Sequence, residues 1–203
     1  MGDTMREKPD HRCLFDAASE QMGHFTAAQA RTCGFAWDTL SDGAKRGTYL
    51  RIRRGLYRLR DYPSSPREEV MSAWLAVGKD VAIVSHESAL DLLDLSDVIP
   101  NSTHLTVPRS KRHPPDLPGV TIHTSVRPIA REDITFRDGL RLTSVARTIA
   151  DCATAGTGPE QIVMAVGEAL ERGITTPQRL QNALFERSRR VSELIRYAIG
   201  STQ

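Results

Sequence analysis

The apolar positions of the first sixty residues change from helical spacing to strict alternation. Residues 11–22 carry apolar side chains on one helical face, which predicts a first helix. Thr26 is a good N-cap for a short second helix, and the stretch from Trp37 to Arg46 predicts a third helix that ends at Gly47. Three short helices in this order predict a helix-turn-helix whose third helix lies in the major groove of DNA.

Residues 49–60 alternate apolar and basic side chains on both sides of Gly55, a pattern typical of a half-buried β-hairpin. We expect four side chains to point into the core: Leu50, Ile52, Tyr57 and Leu59. The arginines between them would point outward: Arg51, Arg53, Arg58 and Arg60. Arg54 would lie at the tip of the hairpin. A hairpin in this position is the wing of a winged helix.

The distribution of charge along the chain says more about binding partners than the net charge of +2. Residues 43–60 contain seven Lys or Arg and no acid, which is the cationic patch expected of a surface that meets phosphates. The alternative interpretation is a solvated charged hairpin. Asp38 and Asp42 are unusual on such a surface, and would either contact cytosine amino groups or hold Arg46 through a pair at i, i+4.

Two prolines and two serines in residues 61–66 predict a domain boundary. A winged helix-turn-helix domain would then span residues 1–62 and a C-terminal domain residues 67–203. In the second domain, short strands at 81–85, 103–107 and 119–125 alternate with helical segments, so we expect an α+β protein with a mixed helix and small-sheet C-terminal domain. The amphipathic helix at its end would dock either on its own domain or on a partner.

The cysteines and the apolar runs predict a cytoplasmic protein. Cys13, Cys33 and Cys152 are odd in number and far apart, which argues against a disulfide framework and a zinc site and favours buried thiols. No apolar run approaches the roughly 18 residues of a membrane span, and the polar residues 1–10 do not resemble a secretory signal.

Nothing in the second half argues for catalysis, so we expect a protein that is not an enzyme and needs no cofactor or metal. Ser85 would cap a helix that begins with a surface His86, and His104 and His123 would meet across a sheet as a poor metal site. Arg147 and Asp151 would form an intrahelical ion pair. Two basic runs, residues 109–113 and 187–190, are solvated surfaces, extensions of a DNA footprint, or contacts for a partner.

The segment FTAAQARTCGFAWDTLSDGAKRGTYLRIRRGLYRLR (residues 25–60) resembles the winged-helix domain of AbiEi-family antitoxins of type IV toxin–antitoxin systems. The resemblance continues through LTSVARTIADCA and covers nearly the whole chain. It implies an antitoxin that neutralises a nucleotidyltransferase-like toxin and represses its own operon by binding inverted-repeat operator DNA. Operator contacts would fall on the third helix and the wing, at Trp37, Thr39, Lys45, Arg46, Arg51, Arg53, Arg54 and Arg58.

Two other functions remain open. One is a stand-alone winged-helix transcriptional repressor whose C-terminal domain senses a ligand or a protein. The other is a nuclease, because the same segments resemble longer proteins with an appended nuclease domain. The last forty residues contain no metal-binding carboxylate cluster, which argues against the nuclease. The absence of a long heptad pattern leaves a monomer and a weak dimer equally open.

Overall fold

The computed structural model of the chain describes residues 8–111 and 117–202. They form two compact units, of which the first ends at Gly78 and the second begins at Lys79. Each unit combines helices with a small sheet, so the predicted α+β class is confirmed. No helix within these residues is long and apolar enough to cross a membrane.

The first unit has the element order of a winged helix. Its elements are α1 (His11–Ser19), β1 (His24–Thr26), α2 (Ala27–Thr32), α3 (Trp37–Lys45), β2 (Tyr49–Arg53), β3 (Leu56–Leu59) and α4 (Glu68–Val77). The three strands pair antiparallel in the order β1-β3-β2. The three predicted helices and the hairpin are confirmed, and α1 to α3 pack on one face of the sheet around Phe25, Phe35 and Leu40.

Local capping explains where the short helices begin. The carboxylate of Asp10 accepts hydrogen bonds from the N–H groups of Arg12 and Cys13 at 2.9 and 3.0 Å. Thr26 and Gln29 form a reciprocal capping box on α2, as the N-cap prediction requires. Gly34 then takes a φ of +80° in the tight turn between α2 and α3, a conformation that other residues rarely adopt.

A disulfide between Cys13 and Cys33 corrects the prediction of three free thiols. The two Cα atoms lie 5.7 Å apart, because α1 packs beside the C-terminal end of α2. Of the three cysteines, only Cys152 is free, and it is buried. The bond encloses α1, β1 and α2 in one covalent loop within the helix-turn-helix.

The first unit extends past the Pro/Ser segment of residues 61–66. Helix α4 follows that segment and packs against β1 and β3. The division into residues 1–62 and 67–203 therefore stays a prediction about which parts fold independently.

The second unit is a five-stranded mixed sheet with helices. Its elements are β4 (Ile83–Val84), α5 (His86–Leu92), β5 (Thr103–Pro108), β6 (Val120–Ser125), β7 (Ile134–Arg137), β8 (Leu140–Thr143), α6 (Val145–Ala155), α7 (Pro159–Glu171), α8 (Pro177–Asn182) and α9 (Arg189–Ser201). The strand order is β6-β5-β4-β8-β7, with β4–β8 and β5–β6 parallel and the other two pairs antiparallel. The three predicted strands appear as β4, β5 and β6, and the β7–β8 hairpin is an addition.

Helix α9 docks on its own unit. Val191, Ile195, Ala198 and Ile199 are buried, and the helix packs against α6, α7 and α8. The apolar stripe of α9 is therefore part of the core of the second unit, which decides between the two alternatives left by its periodicity.

Candidate nucleic-acid interface

Helix α3 presents one continuous polar face to solvent. Exposed side chains recur one turn apart along it: Trp37, Asp38, Ser41, Asp42 and Lys45. Leu40 and Gly43 face the core. Trp37 is 55% exposed although it is a large aromatic residue, and Thr39 is half-buried at the flank. An exposed face of this kind on the third helix of a helix-turn-helix has the residue types that read base edges.

A close contact between Gly43 and Tyr49 sets the position of the wing against α3. A Cβ atom on Gly43 would lie 2.5 Å from Cε2 of the Tyr49 ring, a distance that real Cβ atoms do not tolerate. The ring thus lies directly on the helix backbone. Burial raises the pKa of the Tyr49 hydroxyl, with the nearby Arg46 acting in the opposite direction, so that this contact remains neutral at physiological pH.

A cleft of about 310 Å³ lies between α3 and the hairpin. Its lining is Ser41, Ala44, Lys45, Arg51 and Tyr57. Two cations predicted for DNA contact, Lys45 from the helix and Arg51 from the wing, therefore lie on the same cleft. Ser41 and Tyr57 were not among the predicted operator contacts. Ser41 lies on the outward face predicted for the third helix, one turn from both Trp37 and Lys45, whereas Tyr57 was expected to point into the core.

A β-bulge changes the orientation predicted for the wing. Arg51 pairs with Tyr57 and Arg53 with Leu56, so that Ile52 is the extra residue between two paired positions. The expectation that Ile52 points inward is wrong, since it is 38% exposed. Arg51 and Arg54 are exposed as predicted, whereas Arg53 is half-buried.

Arg58 is the clearest departure from the predicted outward face. It is 5% exposed, and its Nη2 donates to Glu68 Oε1 at 2.7 Å and to the carbonyl oxygens of Tyr62 and Pro63 at 2.8 and 3.0 Å. Helix α4 packs against β3 and covers the face of the sheet on which Arg58 lies. Arg58 therefore supports the wing from inside and is not available to a phosphate.

The remaining cations of the patch differ in how strongly they are held. Arg60 Nε donates to the carbonyl oxygen of Gly47, two residues before β2 begins. Lys45 pairs with Asp42 at 3.7 Å, and both side chains are mostly exposed, so this pair contributes little. Asp42 thus pairs with Lys45 instead of Arg46. Arg46, Arg51 and Arg54 form no ion pair with any described residue.

Three histidines of the second unit stack on one another. The rings of His86 and His123 lie 3.5 Å apart between centroids, and His104 Nδ1 is 2.9 Å from His123 Nε2, so the predicted contact across the sheet is confirmed. His86 is buried and has a φ of +52°, which corrects the expectation of a surface residue. Ser85 accepts a hydrogen bond from the Thr106 hydroxyl and does not cap the helix through its side chain.

Burial disfavours the charged form of all three histidines. It lowers the pKa of His86 to about 3, with the neighbouring His123 acting in the same direction. Burial also lowers the pKa values of His104 and His123. Within residues 8–111 and 117–202, no group of three or more His, Cys, Asp or Glu side chains is arranged to hold a metal ion.

The predicted Arg147–Asp151 pair is part of a larger network. Arg147 Nε donates to the carboxylate of Asp151 at 2.9 and 3.0 Å, and Arg147 Nη1 reaches Asp133 at 3.3 Å. Arg187 Nη2 donates to the same buried Asp151 at 2.5 Å. Arg187 is therefore a structural residue. The basic run at 109–113 is exposed over residues 109–111, and its residues 112 and 113 lie outside the described residues.

Three helices, an antiparallel sheet and an arginine-bearing hairpin define the first unit as a winged helix. Residues 14–60, which lie inside it, match the sequence model of the family described as "Transcriptional regulator, AbiEi antitoxin". The match confirms the resemblance to AbiEi antitoxin regulators for this domain. It covers 47 of the 203 residues.

A solved structure extends the similarity in fold to both units. The crystal structure of the RV2827C protein from Mycobacterium tuberculosis matches with a TM-score of 0.65 over 94% of this chain and 76% of that chain. The two sequences are 18% identical, so the comparison establishes the fold alone. No curated protein sequence matches this chain.

Proposed function

We propose that this protein is an antitoxin that also represses its own operon, with the winged helix bound to inverted-repeat operator DNA. The exposed face of α3 lies in the major groove, where Trp37, Thr39 and Lys45 meet the bases and the near phosphates. The wing, with Arg51 and Arg54 exposed and Arg53 half-buried, meets the backbone beside it, and Arg46 extends the contact. Arg58 is left out of this surface because it is buried.

The observation that carries this proposal is the cleft shared by Lys45 and Arg51. A helix and a wing that each place a cation on one cleft can contact a phosphate strand from two sides. The match of residues 14–60 to a transcriptional-regulator family supports the same role. The polar face of α3 adds groups that distinguish base pairs, which a solvated hairpin alone would not need.

Fluorescence anisotropy with DNA from upstream of the gene tests the operator-binding proposal. The wild type is compared with the triple variant Lys45→Ala, Arg51→Ala, Arg54→Ala at several salt concentrations. Because each lost phosphate contact removes about 0.9 from the log–log salt slope, the variant should show a slope smaller in magnitude by about 3. If the variant kept the same preference for operator DNA over a random duplex as the wild type, this surface would be excluded as the operator-binding site.

A matched control separates this surface from the general effect of charge. Lys79→Ala, Arg131→Ala and Arg196→Ala also remove three exposed cations, all from the second unit and outside its two basic runs. The proposal predicts that this variant retains the operator affinity and the salt slope of the wild type. An equal loss in both variants would mean that DNA is attracted by net charge alone.

The same triple variant separates repression from neutralisation. We propose that the second unit neutralises a nucleotidyltransferase-like toxin encoded next to the gene, in the cytoplasm. Growth arrested by that toxin should therefore be restored by the wild type and by the DNA-binding variant alike. Failure of both to restore growth would favour the second candidate, a repressor whose second unit senses a ligand, for which a groove of about 1380 Å³ in that unit provides a place.

A further inference from the structure

A groove of the second unit has a volume of about 1380 Å³. The N-terminal end of α6, the segment between β6 and β7, and residues 174–188 form its walls, and His86 and Thr106 also line it. A volume above the usual 300–1000 Å³ of small-molecule pockets suits an extended chain better than a single metabolite.

The start of α6 contributes unused hydrogen-bond donors to this groove. Ser144 is the N-cap but its side chain makes no capping bond, and the first turn of the helix contains no acidic residue. The backbone N–H groups of Val145, Ala146 and Arg147 form no hydrogen bond with any described residue. Residues 144–147 all line the groove, so the N-terminal end of this eleven-residue helix faces it. The first turn of the helix has no acidic side chain to balance the positive end of the helix dipole.

A second, independent feature of the groove is a buried hydroxyl without a partner. Thr175 lines the groove and is only 5% exposed, and its Oγ1 has no hydrogen-bond partner. A buried hydroxyl without a partner is unfavourable, so a bound group that reaches it gains a bond that water does not supply. The groove therefore has donors for a bound acceptor at α6 and at Thr175.

The charges of the lining favour a single carboxylate over a phosphate. Four arginines and four acids line the groove: Arg127, Arg147, Arg179 and Arg187, with Glu132, Asp133, Asp151 and Glu186. Arg147 and Arg187 are already engaged by Asp151. The lining thus has no net charge beyond the helix end, which contributes about half a positive charge. Asp133 and Asp151 repel a phosphate dianion about twice as strongly as they repel a carboxylate monoanion. The single charge of a carboxylate is also closer to the partial charge of the helix end.

Exposed apolar side chains border the same groove. Val126 is 74% exposed and Phe185 is 73% exposed, far more than apolar residues of their size require. Both line the groove, and Arg127 lies over the Phe185 ring at 6.0 Å. We propose that the groove binds an extended segment of a partner protein, whose Asp or Glu carboxylate is held at the N-terminal end of α6 and whose apolar side chains pack on Val126 and Phe185. This site is argued apart from the operator surface of the first unit.

Amide chemical shifts of the ¹⁵N-labelled full chain test the proposal. Sodium acetate, at constant ionic strength against chloride, should shift the amide signals of Val145, Ala146 and Arg147 to saturation. Absence of a saturable shift would overturn the carboxylate site. Inorganic phosphate is titrated in parallel, and tighter binding of phosphate than of acetate would overturn the choice of a carboxylate.

A capped pentapeptide with leucine at both ends and glutamate at its centre tests the protein segment. We expect it to bind at least tenfold more tightly than acetate, to shift the signals of Val126 and Phe185 as well, and to bind at least tenfold more tightly than its glutamine counterpart. Affinity no better than that of acetate would overturn the extended segment as occupant.

A substitution at the N-cap of α6 would occupy the carboxylate site with a side chain of the protein itself. Ser144→Asp places a carboxylate at the N-cap, where aspartate is among the best capping residues, so the fold should be retained or stabilised. Acetate and peptide affinity should fall at least tenfold. Ala36→Asp adds the same charge at the exposed N-cap of α3, in the first unit, and should leave both affinities within twofold. Equal affinity in wild type and Ser144→Asp would overturn the placement at α6.

Discussion

Nη2 of Arg58 lies 2.7 Å from Oε1 of Glu68, and the arginine side chain is only 6% exposed. The pair joins the central strand of the first sheet to the start of α4. A cation that looks like part of a DNA-binding wing in the sequence thus holds two elements of the same unit together. The distinction between Arg58 and its exposed neighbours can be measured.

Arg58→Ala should destabilise the protein without a specific effect on DNA. Removal of one partner of a buried pair typically costs about 3–5 kcal/mol, because the other partner and its hydrogen bonds are left unsatisfied. We expect a value of about 3 kcal/mol here, since Glu68 keeps some contact with solvent. Urea unfolding of the full chain measures it.

Arg51→Ala is the matched control for this prediction. Arg51 is exposed and makes no ion pair with a described residue, so its removal should change the free energy of unfolding by less than about 0.5 kcal/mol. Arg58→Ala should therefore lower the free energy of unfolding without a specific effect on operator affinity. Arg51→Ala should lower operator affinity and leave the free energy of unfolding nearly unchanged. Equal stability of both would show that the Arg58–Glu68 pair contributes nothing.

The sequence predicted the helices and the hairpin of the first unit because those signals are local. Thr26 caps α2 through residues three positions away, and the alternation around Gly55 covers both strands of the wing. Alternation could not reveal that Ile52 is the extra residue of a bulge, or that α4 covers the second face of β3 and buries Arg58. Both depend on pairing or packing with residues outside the pattern.

The second unit contains one further local signal, which predicts the β7–β8 hairpin. Asp138 and Gly139, with φ values of +51° and +77°, form the two-residue turn between β7 and β8. An Asp-Gly pair between apolar segments is among the strongest hairpin signals. The groove could not be predicted, because it brings together the segment before β7, the N-terminal end of α6 and residues 174–188, which are distant in the sequence.

Reduction of the Cys13–Cys33 disulfide should lower the stability of the first unit. The bond joins residues separated by 20 positions, and closure of a loop of that length in the unfolded chain corresponds to about 3 kcal/mol. Urea unfolding of protein purified without reductant, compared with Cys13→Ser, Cys33→Ser, should show this difference.

Alkylation provides an independent check of the disulfide. In denaturant without reductant, only Cys152 should react, and all three cysteines should react after reduction. Labelling of three cysteines in both conditions would refute the disulfide and restore the interpretation as free thiols. The mass of the labelled chain distinguishes these results.

Gly43→Ala should weaken DNA binding more than it weakens the fold. Alanine gains up to about 1 kcal/mol of helix propensity over glycine, but its Cβ would overlap the Tyr49 ring, and overpacking of this kind costs about 1–3 kcal/mol. The expected net loss of stability is small, since the ring moves away from α3. The cleft between Lys45 and Arg51 then changes shape, and operator affinity should fall several-fold by anisotropy.

A glycine in another helix is the control for this variant. Gly200 lies in α9, and a Cβ added there would have no atom within 4 Å, so Gly200→Ala should raise stability by up to about 1 kcal/mol and leave DNA binding unchanged. If Gly43→Ala behaved in the same way as Gly200→Ala, the contact with Tyr49 would not determine the position of the wing.

Acid should unfold the second unit through its histidine stack. Burial lowers the pKa of His86 to about 3 from an ordinary 6.5, so between these values the unfolded chain binds a proton that the folded chain does not. Stability from this residue is therefore complete above pH 6.5 and is lost as the pH falls, by about 1.4 kcal/mol per pH unit. His104 and His123, whose pKa values burial also lowers, act in the same direction.

Urea unfolding of the full chain at pH 7.5, 6.5, 5.5 and 4.5 measures this dependence. The wild type should have nearly constant stability between the first two values and a steep decline over the last two. His86→Gln removes one titrating group from the stack, so its decline below pH 6.5 should be shallower by about 1.4 kcal/mol per pH unit, whatever its stability at pH 7.5. Parallel curves for the wild type and His86→Gln would mean that His86 accepts its proton in the folded protein, and that the stack does not hold it neutral.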